Sequence, residues 1–306
     1  MKKFIITAIL LIATITANAQ LIFRISGNGL EKPSYILGSL HVLSGDLLDS
    51  IPAFVEAEHQ CQQLYVEEDM SDPQNKKGRQ TVGQQLAALP NGTTISDILG
   101  EEKMKILQEK MRALYHIDLA DSSSQKYLHF QPFYFTSMFN YIIQIEALQK
   151  YPAMRYGNMM DVACIKRAKD RGWKVGNLDQ RHTSDELEKT KEMLSPIDEQ
   201  VDSLMAMLTN FDERRQKTLK EYEGIQMMGD YWAAGDYAGF ERFLQPVNEA
   251  NPAIFVDRNK KWMPTILEAI KEMPTLFVFG AGHLTGQDGV VRMLREAGYK
   301  VEQLKQ

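Results

Sequence analysis

The segment TLFVFGAGHLTGQDG, Thr275 to Gly289, has a counterpart near the other end of the chain in SYILGSLHVLSG, Ser34 to Gly45. In each, a short apolar, β-prone run ends in Gly-x-x-His: Gly38 to His41, and Gly280 to His283. Runs such as LFVF read as buried strands of a parallel sheet. Glycine just past a strand (Gly38, Gly280 and Gly282) lets the backbone turn sharply or approach a ligand closely. A histidine there sits at the carboxyl end of its strand, where open α/β sheets bind ligands. One such motif more often leaves a hydrogen-bonded loop histidine than a functional one. Two copies shift the balance, because two strand ends can bring both imidazoles over one site.

Outward from these strands, helical and strand patterns alternate. Ile22 to Ile25 and Tyr35 to Leu37 predict a β-hairpin turning through Gly27-Asn28-Gly29. A helix over Pro52 to Gln60 precedes a strand at Gln63 to Glu67, and the polar run Asp72 to Gly78 reads as an exposed loop. Helical periodicity runs from Ile95 to Met111. Ser122 to Lys150 is rich in aromatics, with Pro132 breaking or kinking it before a long helix. Core packing explains those aromatics better than a substrate groove. Met227, Met228 and Trp232 likewise suit a core or a lid better than a cofactor box. A helix over Asp161 to Arg171 closes on Gly172 before a strand at Trp173 to Leu178. Ser184 to Phe240 reads as a polar helical hairpin subdomain. A helix over Asn259 to Lys271, the strand Thr275 to Phe279, a helix over Gly289 to Ala297 and a strand over Tyr299 to Leu304 complete the chain. The expected fold is α/β: a mixed, largely parallel sheet from two related halves, with surrounding helices and a helical insertion at about 184–240.

The first residues read as a secretory leader. Lys2 and Lys3 precede an apolar run from Phe4 to Ile15, and Ala17-Asn18-Ala19 is a small-residue cleavage site. The expectation is a signal peptide over 1–19, cut after Ala19, leaving one domain over 20–306 in the periplasm or outside the cell. The apolar run is short for a membrane span, and no stable membrane insertion is expected after its removal. Net charge is −5, or −7 without Lys2 and Lys3. A mildly acidic chain without basic clusters does not suit nucleic acid or an anionic membrane. The two cysteines, Cys61 and Cys164, fit one disulfide or two buried thiols equally, and form no zinc ribbon.

The residues able to carry chemistry are His41, His283, Glu67, Arg258 and Asp179. Neutral imidazole is the commonest ligand of transition metals, and two histidines with a carboxylate leave a coordination position open. Glu67 ends the LYVEED strand, but chemistry alone does not separate it from Glu68. Arg258, expected just before a helix, suits a substrate carboxylate or a developing oxyanion, although most such arginines form surface ion pairs.

The segment from Asp257 to Leu304 resembles the carboxyl-terminal signature of the TraB/GumN family, which includes the animal Tiki proteins. Its matching residues are Arg258, Asn259, Trp262, Gly280, Gly282, His283, Leu284, Gly286, Gly298, Tyr299 and Val301. The front end is similar too: Gly38-Ser39-Leu40-His41 resembles Gly-Thr-x-His, and Glu67-Glu68-Asp69 resembles Glu-x-Asp, which selects Glu67. Asp161 to Gln180 resembles a further segment, with Trp173 in place of lysine and Asp179 in place of glutamate. The resemblance implies a fold shared with erythromycin esterase-like and haem-binding ChaN-like proteins. Tiki members are metalloproteases that use both Gly-x-x-His motifs with an acid and an arginine. It therefore implies metal-dependent hydrolysis of a peptide or small-molecule amide. His41, His283 and Glu67 would hold a divalent transition ion (manganese, cobalt or zinc), and Arg258 and Glu67 would act on the substrate. Ser39, Asp161, Asp179 and Asn259 would contact substrate or orient the ligands. Two other expectations stand beside it: a non-catalytic protein sequestering a peptide signal or haem, and a metal-independent esterase with a histidine base.

Overall fold

A computed structural model describes residues 21–304 apart from 70, 91, 150–157, 180–190, 193 and 251. The leader expected at 1–19 and the start of the helical stretch expected from Ser184 lie outside the described residues. Strand β1 (Ile22–Ser26) turns through Gly27, Asn28 and Gly29, all at positive φ, into β2 (Ser34–Ser39). Helix α1 (Pro52–Gln60) leads to β3 (Gln63–Val66), and α2 (Pro73–Ala87), α3 (Ile95–Tyr115) and α4 (Pro132–Gln149) follow. Next come α5 (Met160–Asp170) and β4 (Lys174–Asn177). Four more helices, α6 (Ile197–Thr209), α7 (Phe211–Ala233), α8 (Tyr237–Ala250) and α9 (Pro252–Glu272), precede β5 (Thr275–Gly280). Helix α10 (Val290–Glu296) and β6 (Lys300–Gln303) close the fold.

The six strands form one mixed sheet in the order β4-β3-β5-β2-β1-β6. β1 is antiparallel to both of its neighbours, and the other pairings are parallel. The two Gly-x-x-His strands, β2 and β5, are adjacent and parallel, with Gly38 opposite Phe279 and Ser39 opposite Gly280. Every residue of both strands is buried, which is why neither shows an alternating pattern.

Two apolar clusters hold the helices. One wraps the sheet and takes in Trp232, Phe240 and Leu244. The other joins α3, α4 and α6 through Leu107, Met111, Phe135, Phe139, Leu204 and Met207. The helical stretch expected at about 184–240 is thus shared between the two clusters. Phe135 and Phe139 are fully buried, as core packing requires, whereas Met227 is 48% exposed. Trp232 anchors α7 to the sheet, its indole N–H donating to the Gly38 carbonyl at 2.5 Å. Glu58 on α1 is buried between Arg167, which meets it with two N–H groups, and Arg171, tying α5 to α1. Cys61 and Cys164 are free, buried thiols, both pushed up in pKa by burial.

Two sequence expectations are corrected. Asp72 to Gly78 is no loop: Asp72 caps α2 by accepting the Gln74 N–H, and Pro73 takes the first turn, where its missing N–H has no consequence. The helix is polar because only Asn75 and Ala87 are buried, so no apolar stripe marks it. Arg258 lies inside α9, which begins at Pro252, rather than before a helix.

These observations set a paired test by thermal melting. A Cβ on Gly38 would meet Leu284 Cδ1 at 2.4 Å and Ala281 Cβ at 3.1 Å. Gly38→Ala is therefore expected to destabilise by about 1–3 kcal/mol. Gly78→Ala, with open space at its Cβ inside α2, is expected to stabilise by up to about 1 kcal/mol. A neutral Gly38→Ala would contradict the close packing of β2 against the turn after β5.

Candidate functional site

The carboxyl ends of β2, β3, β4 and β5 lie side by side. Ser39, the last residue of β2, leads to the turn carrying His41. Hydrogen bonds from Gly45 N–H to Asn158 O (2.7 Å) and from Met160 N–H to Leu43 O (2.9 Å) pin the segment after that turn to the start of α5. Asp161, in the first turn of α5, thereby meets both residues: Ser39 Oγ donates to its Oδ1 at 2.7 Å, and His41 Nδ1 lies 3.0 Å from its Oδ2. Past β3 comes Glu67. The Asp179 amide donates to the Glu67 carbonyl at 2.9 Å, extending the β3–β4 ladder and placing Asp179 beside it. Past β5, a 3-10 turn over Ala281–Leu284 carries His283.

These side chains converge on Glu67. Its Oε1 accepts the Gly280 N–H at 2.7 Å and lies 3.5 Å from His41 Nε2 and 3.9 Å from His283 Nε2. Its Oε2 accepts Arg258 Nη2 at 2.5 Å. The same guanidinium bonds Asp179 through Nε (3.2 Å) and Nη2 (2.5 Å), and its Nη1 is 3.2 Å from His283 Nε2. Trp262 donates its indole N–H to Asp179 Oδ1 at 2.7 Å and stacks under Arg258, 4.7 Å from ring centre to guanidinium. Asn259 Nδ2 donates to the His283 and Asp288 carbonyls, so its Oδ1 faces His283 Nδ1 at 2.7 Å. That assigns the His283 proton to Nδ1 and leaves Nε2 as the lone pair facing Glu67 and Arg258. Glu68, by contrast, pairs with Arg79 at 3.4 Å.

All the residues singled out from sequence, Ser39, His41, Glu67, Asp161, Asp179, Arg258, Asn259 and His283, belong to this one network. The glycines give it room: a Cβ on Gly280 would lie 3.0 Å from His41 Nε2 and 3.2 Å from Glu67 Oε1, and one on Gly282 would strike Phe255 at 2.5 Å. Sequence reasoning missed Phe255, whose ring lies 5.2 Å from that of His283, and the packing role of Trp262, 4.3 Å away. Four-residue spacing along α9 links Phe255 to Asn259 and Arg258 to Trp262, a signal that was available once Arg258 was placed inside the helix.

The two histidines differ electrostatically. His283 is 2% exposed, and burial pushes its pKa down to about 4, Glu67 opposing and Arg258 reinforcing the shift. The His41 side chain is 55% exposed, and its hydrogen bonds to Asp161 and then Glu67 push its pKa up to about 10. Burial alone would raise the Glu67 carboxyl, but the His41 hydrogen bond and the Arg258 charge outweigh it and keep it well below the usual carboxylate range. Burial works against the Arg258 charge too, and Asp179 and Glu67 restore and exceed it. The donor set is one that suits a cation. Both imidazoles turn Nε2 toward one carboxylate oxygen, while Nδ1 is held by an outer acceptor, the arrangement that orients metal-binding histidines. Glu67, Asp161 and Asp179 would leave two unbalanced negative charges against Arg258 once His41 loses its proton. As the side chains stand, Arg258 fills the space beside His283 Nε2, and among the described residues no three His, Cys, Asp or Glu groups enclose an ion.

A proton NMR titration of metal-free protein is expected to show His283 neutral above about pH 4 and His41 protonated up to about pH 10. Because the His41 pKa is raised on folding, its stabilising contribution is complete below its unfolded value of about 6.5 and is lost as pH rises toward 10. Asp161→Asn is expected to lower the His41 midpoint by at least a unit. An unchanged midpoint in that variant would remove Asp161 as the cause.

No curated protein and no solved structure matches the chain. The model of the TraB/PrgY/gumN family matches residues 21–303, a span that begins just before β1, ends with β6 and takes in both Gly-x-x-His strands, Glu67 and the Arg258-Asn259 pair. By that match over nearly its whole length, the chain belongs to the TraB/PrgY/gumN family.

Proposed function

We propose that this protein is an exported metal-dependent hydrolase of peptides or related amides. The observation that carries the reading is the convergence of His41 Nε2 and His283 Nε2 on one oxygen of Glu67. His41, His283 and Glu67 would hold a divalent transition ion such as manganese, cobalt or zinc. Such an ion supplies Lewis acidity and lowers the pKa of water toward neutrality.

The chain's own residues do the rest. Asp161 and Asn259 fix the two imidazoles through Nδ1. His41 must give up its proton before Nε2 can act as a ligand, and its half-exposed ring lets that proton reach solvent. Arg258 must leave His283 Nε2 and Glu67, and its planar fork then meets the substrate carbonyl oxygen or a carboxylate. Departure of the guanidinium also frees Glu67 Oε2, the oxygen that does not face the imidazoles, to take the proton of the attacking water and pass it to the leaving amine. Asp179, bonded to Trp262, remains as the resting partner to which Arg258 returns.

A second reading, a non-catalytic binding protein that sequesters a peptide or haem, is favoured by Arg258 Nη1 standing 3.2 Å from His283 Nε2, the nitrogen that an ion would need. For export the support is the leader sequence. Among the described residues, no helix is long and apolar enough to cross a membrane.

Metal-free protein titrated with manganese, cobalt or zinc is expected to take up about one ion and release about one proton near neutral pH, with peptide cleavage appearing in step. His41→Ala should lose both uptake and cleavage, and the stability it removes should be the pH-dependent part, so that the melting temperatures of variant and parent converge as pH rises toward 10. Arg258→Lys should keep uptake and lose cleavage by roughly a hundredfold or more, since lysine lacks the fork. Failure of folded protein to bind any of the three ions would sink the proposal. Uptake without turnover, or a Soret band on haem addition, would select the binding reading.

Export is tested separately. Expressed with its leader in a Gram-negative host, the chain is expected in the periplasm with Gln20 at its amino terminus. Membrane-bound material that retains Met1 would show an anchor instead.

A further inference from the structure

Behind His283, on the face of α9 turned away from Arg258, lies a second cleft of about 720 Å³. Helices α8, α9 and α10 enclose it, and the segment from Thr285 to Asp288 lines one side. Its size is that of small-molecule sites. Pro252, Phe255, Val256 and Val291 give it an apolar wall.

Its charged lining is unequally engaged. The acids already have partners: Glu241 accepts the Gly286 N–H at 2.8 Å, Glu249 accepts Gln245 Nε2 at 2.8 Å, and Asp288 pairs with Lys260 at 3.2 Å. The arginines keep donors in reserve. Arg292 spends Nε on Glu296 and Arg295 spends Nε and Nη2 on the Val301 carbonyl, leaving Nη groups in each. Arg242, exposed on α8, makes no hydrogen bond or ion pair among the described residues. A guanidinium with spare donors beside an apolar wall binds a planar anion by charge-assisted, two-pronged hydrogen bonds.

We infer that this cleft is a second binding site, for a small amphipathic carboxylate whose apolar body lies on Phe255 and Val291 and whose carboxylate meets Arg242 and Arg292. The site is distinct from the Glu67 cluster and does not rest on hydrolysis or on a metal. Its wall is shared with that cluster, because Asn259 lines the cleft while its Oδ1 holds His283 Nδ1.

The test is calorimetric titration of the full purified chain with N-acetylphenylalanine and with its neutral amide. The acid is expected to bind roughly tenfold or more tightly than the amide, since a charge-assisted pair is lost in the latter. Arg242→Ala combined with Arg292→Ala should weaken the acid by a similar factor. Both side chains are exposed, so the melting temperature of the double variant should match that of the parent and show that it folds. Arg258→Lys should leave the affinity unchanged. Binding of acid and amide alike, binding of neither, or loss in Arg258→Lys with none in the double variant would each overturn the inference.

Discussion

Glu67 accepts the Gly280 amide with one carboxylate oxygen and the Arg258 guanidinium with the other. That one side chain joins the end of β3 to the end of β5 and to α9, elements that come from distant parts of the chain. Its position depends on a missing side chain: with Gly280 replaced by any other residue, Cβ would press on Glu67 Oε1 and His41 Nε2 together. An ionised carboxylate that is 17% exposed needs compensating charge, and Arg258 supplies it. The guanidinium in turn is steered by Asp179 and by the face of Trp262. Each member of the cluster is placed by the need to satisfy another.

The sheet was largely legible in the sequence because its strands are of the kind that sequence shows best. β2 and β5 are buried on both faces and read as continuous apolar runs, and the glycine-rich turn of the hairpin is explicit. Neighbouring strands then brought both histidines to one edge, as the paired motifs required. Amphipathic periodicity was less informative for helices. α2 buries almost nothing, so its helical state rests on a cap and a first-turn proline that composition alone hides. α6 and α7 are consecutive, yet Leu204 and Phe211 belong to the outer helical cluster and Trp232, at the far end of α7, to the sheet cluster. Which core a helix joins is a long-range matter that local pattern does not record. The same limit explains Phe255: only its placement against Gly282 and His283 gives it meaning.

Two copies of one short motif have become chemically unlike. The His283 ring is packed among Trp262, Phe255 and Phe279, with a neutral amide at Nδ1. The His41 ring is open to water, with a carboxylate at Nδ1. An amide acceptor in an apolar pocket favours the neutral imidazole, and a carboxylate favours the cation. The environment behind each ring, rather than the motif in front of it, sets the resting protonation of the pair.

The placement of β5 has a consequence for how the molecule is made. β5 fills the slot between β3 and β2, although both are complete before most of the helices have been synthesised. Until it arrives, β2 and β3 each present a bare row of amides and carbonyls to their surroundings. Closing that gap needs contacts across nearly the whole chain, the kind of pairing that forms slowly. The nascent protein therefore carries bare strand edges on β2 and β3 until β5 is made, and one on β1 until β6 follows. Until the carboxyl-terminal segment is in place, those edges are where the unfinished fold is open to pairing with another chain.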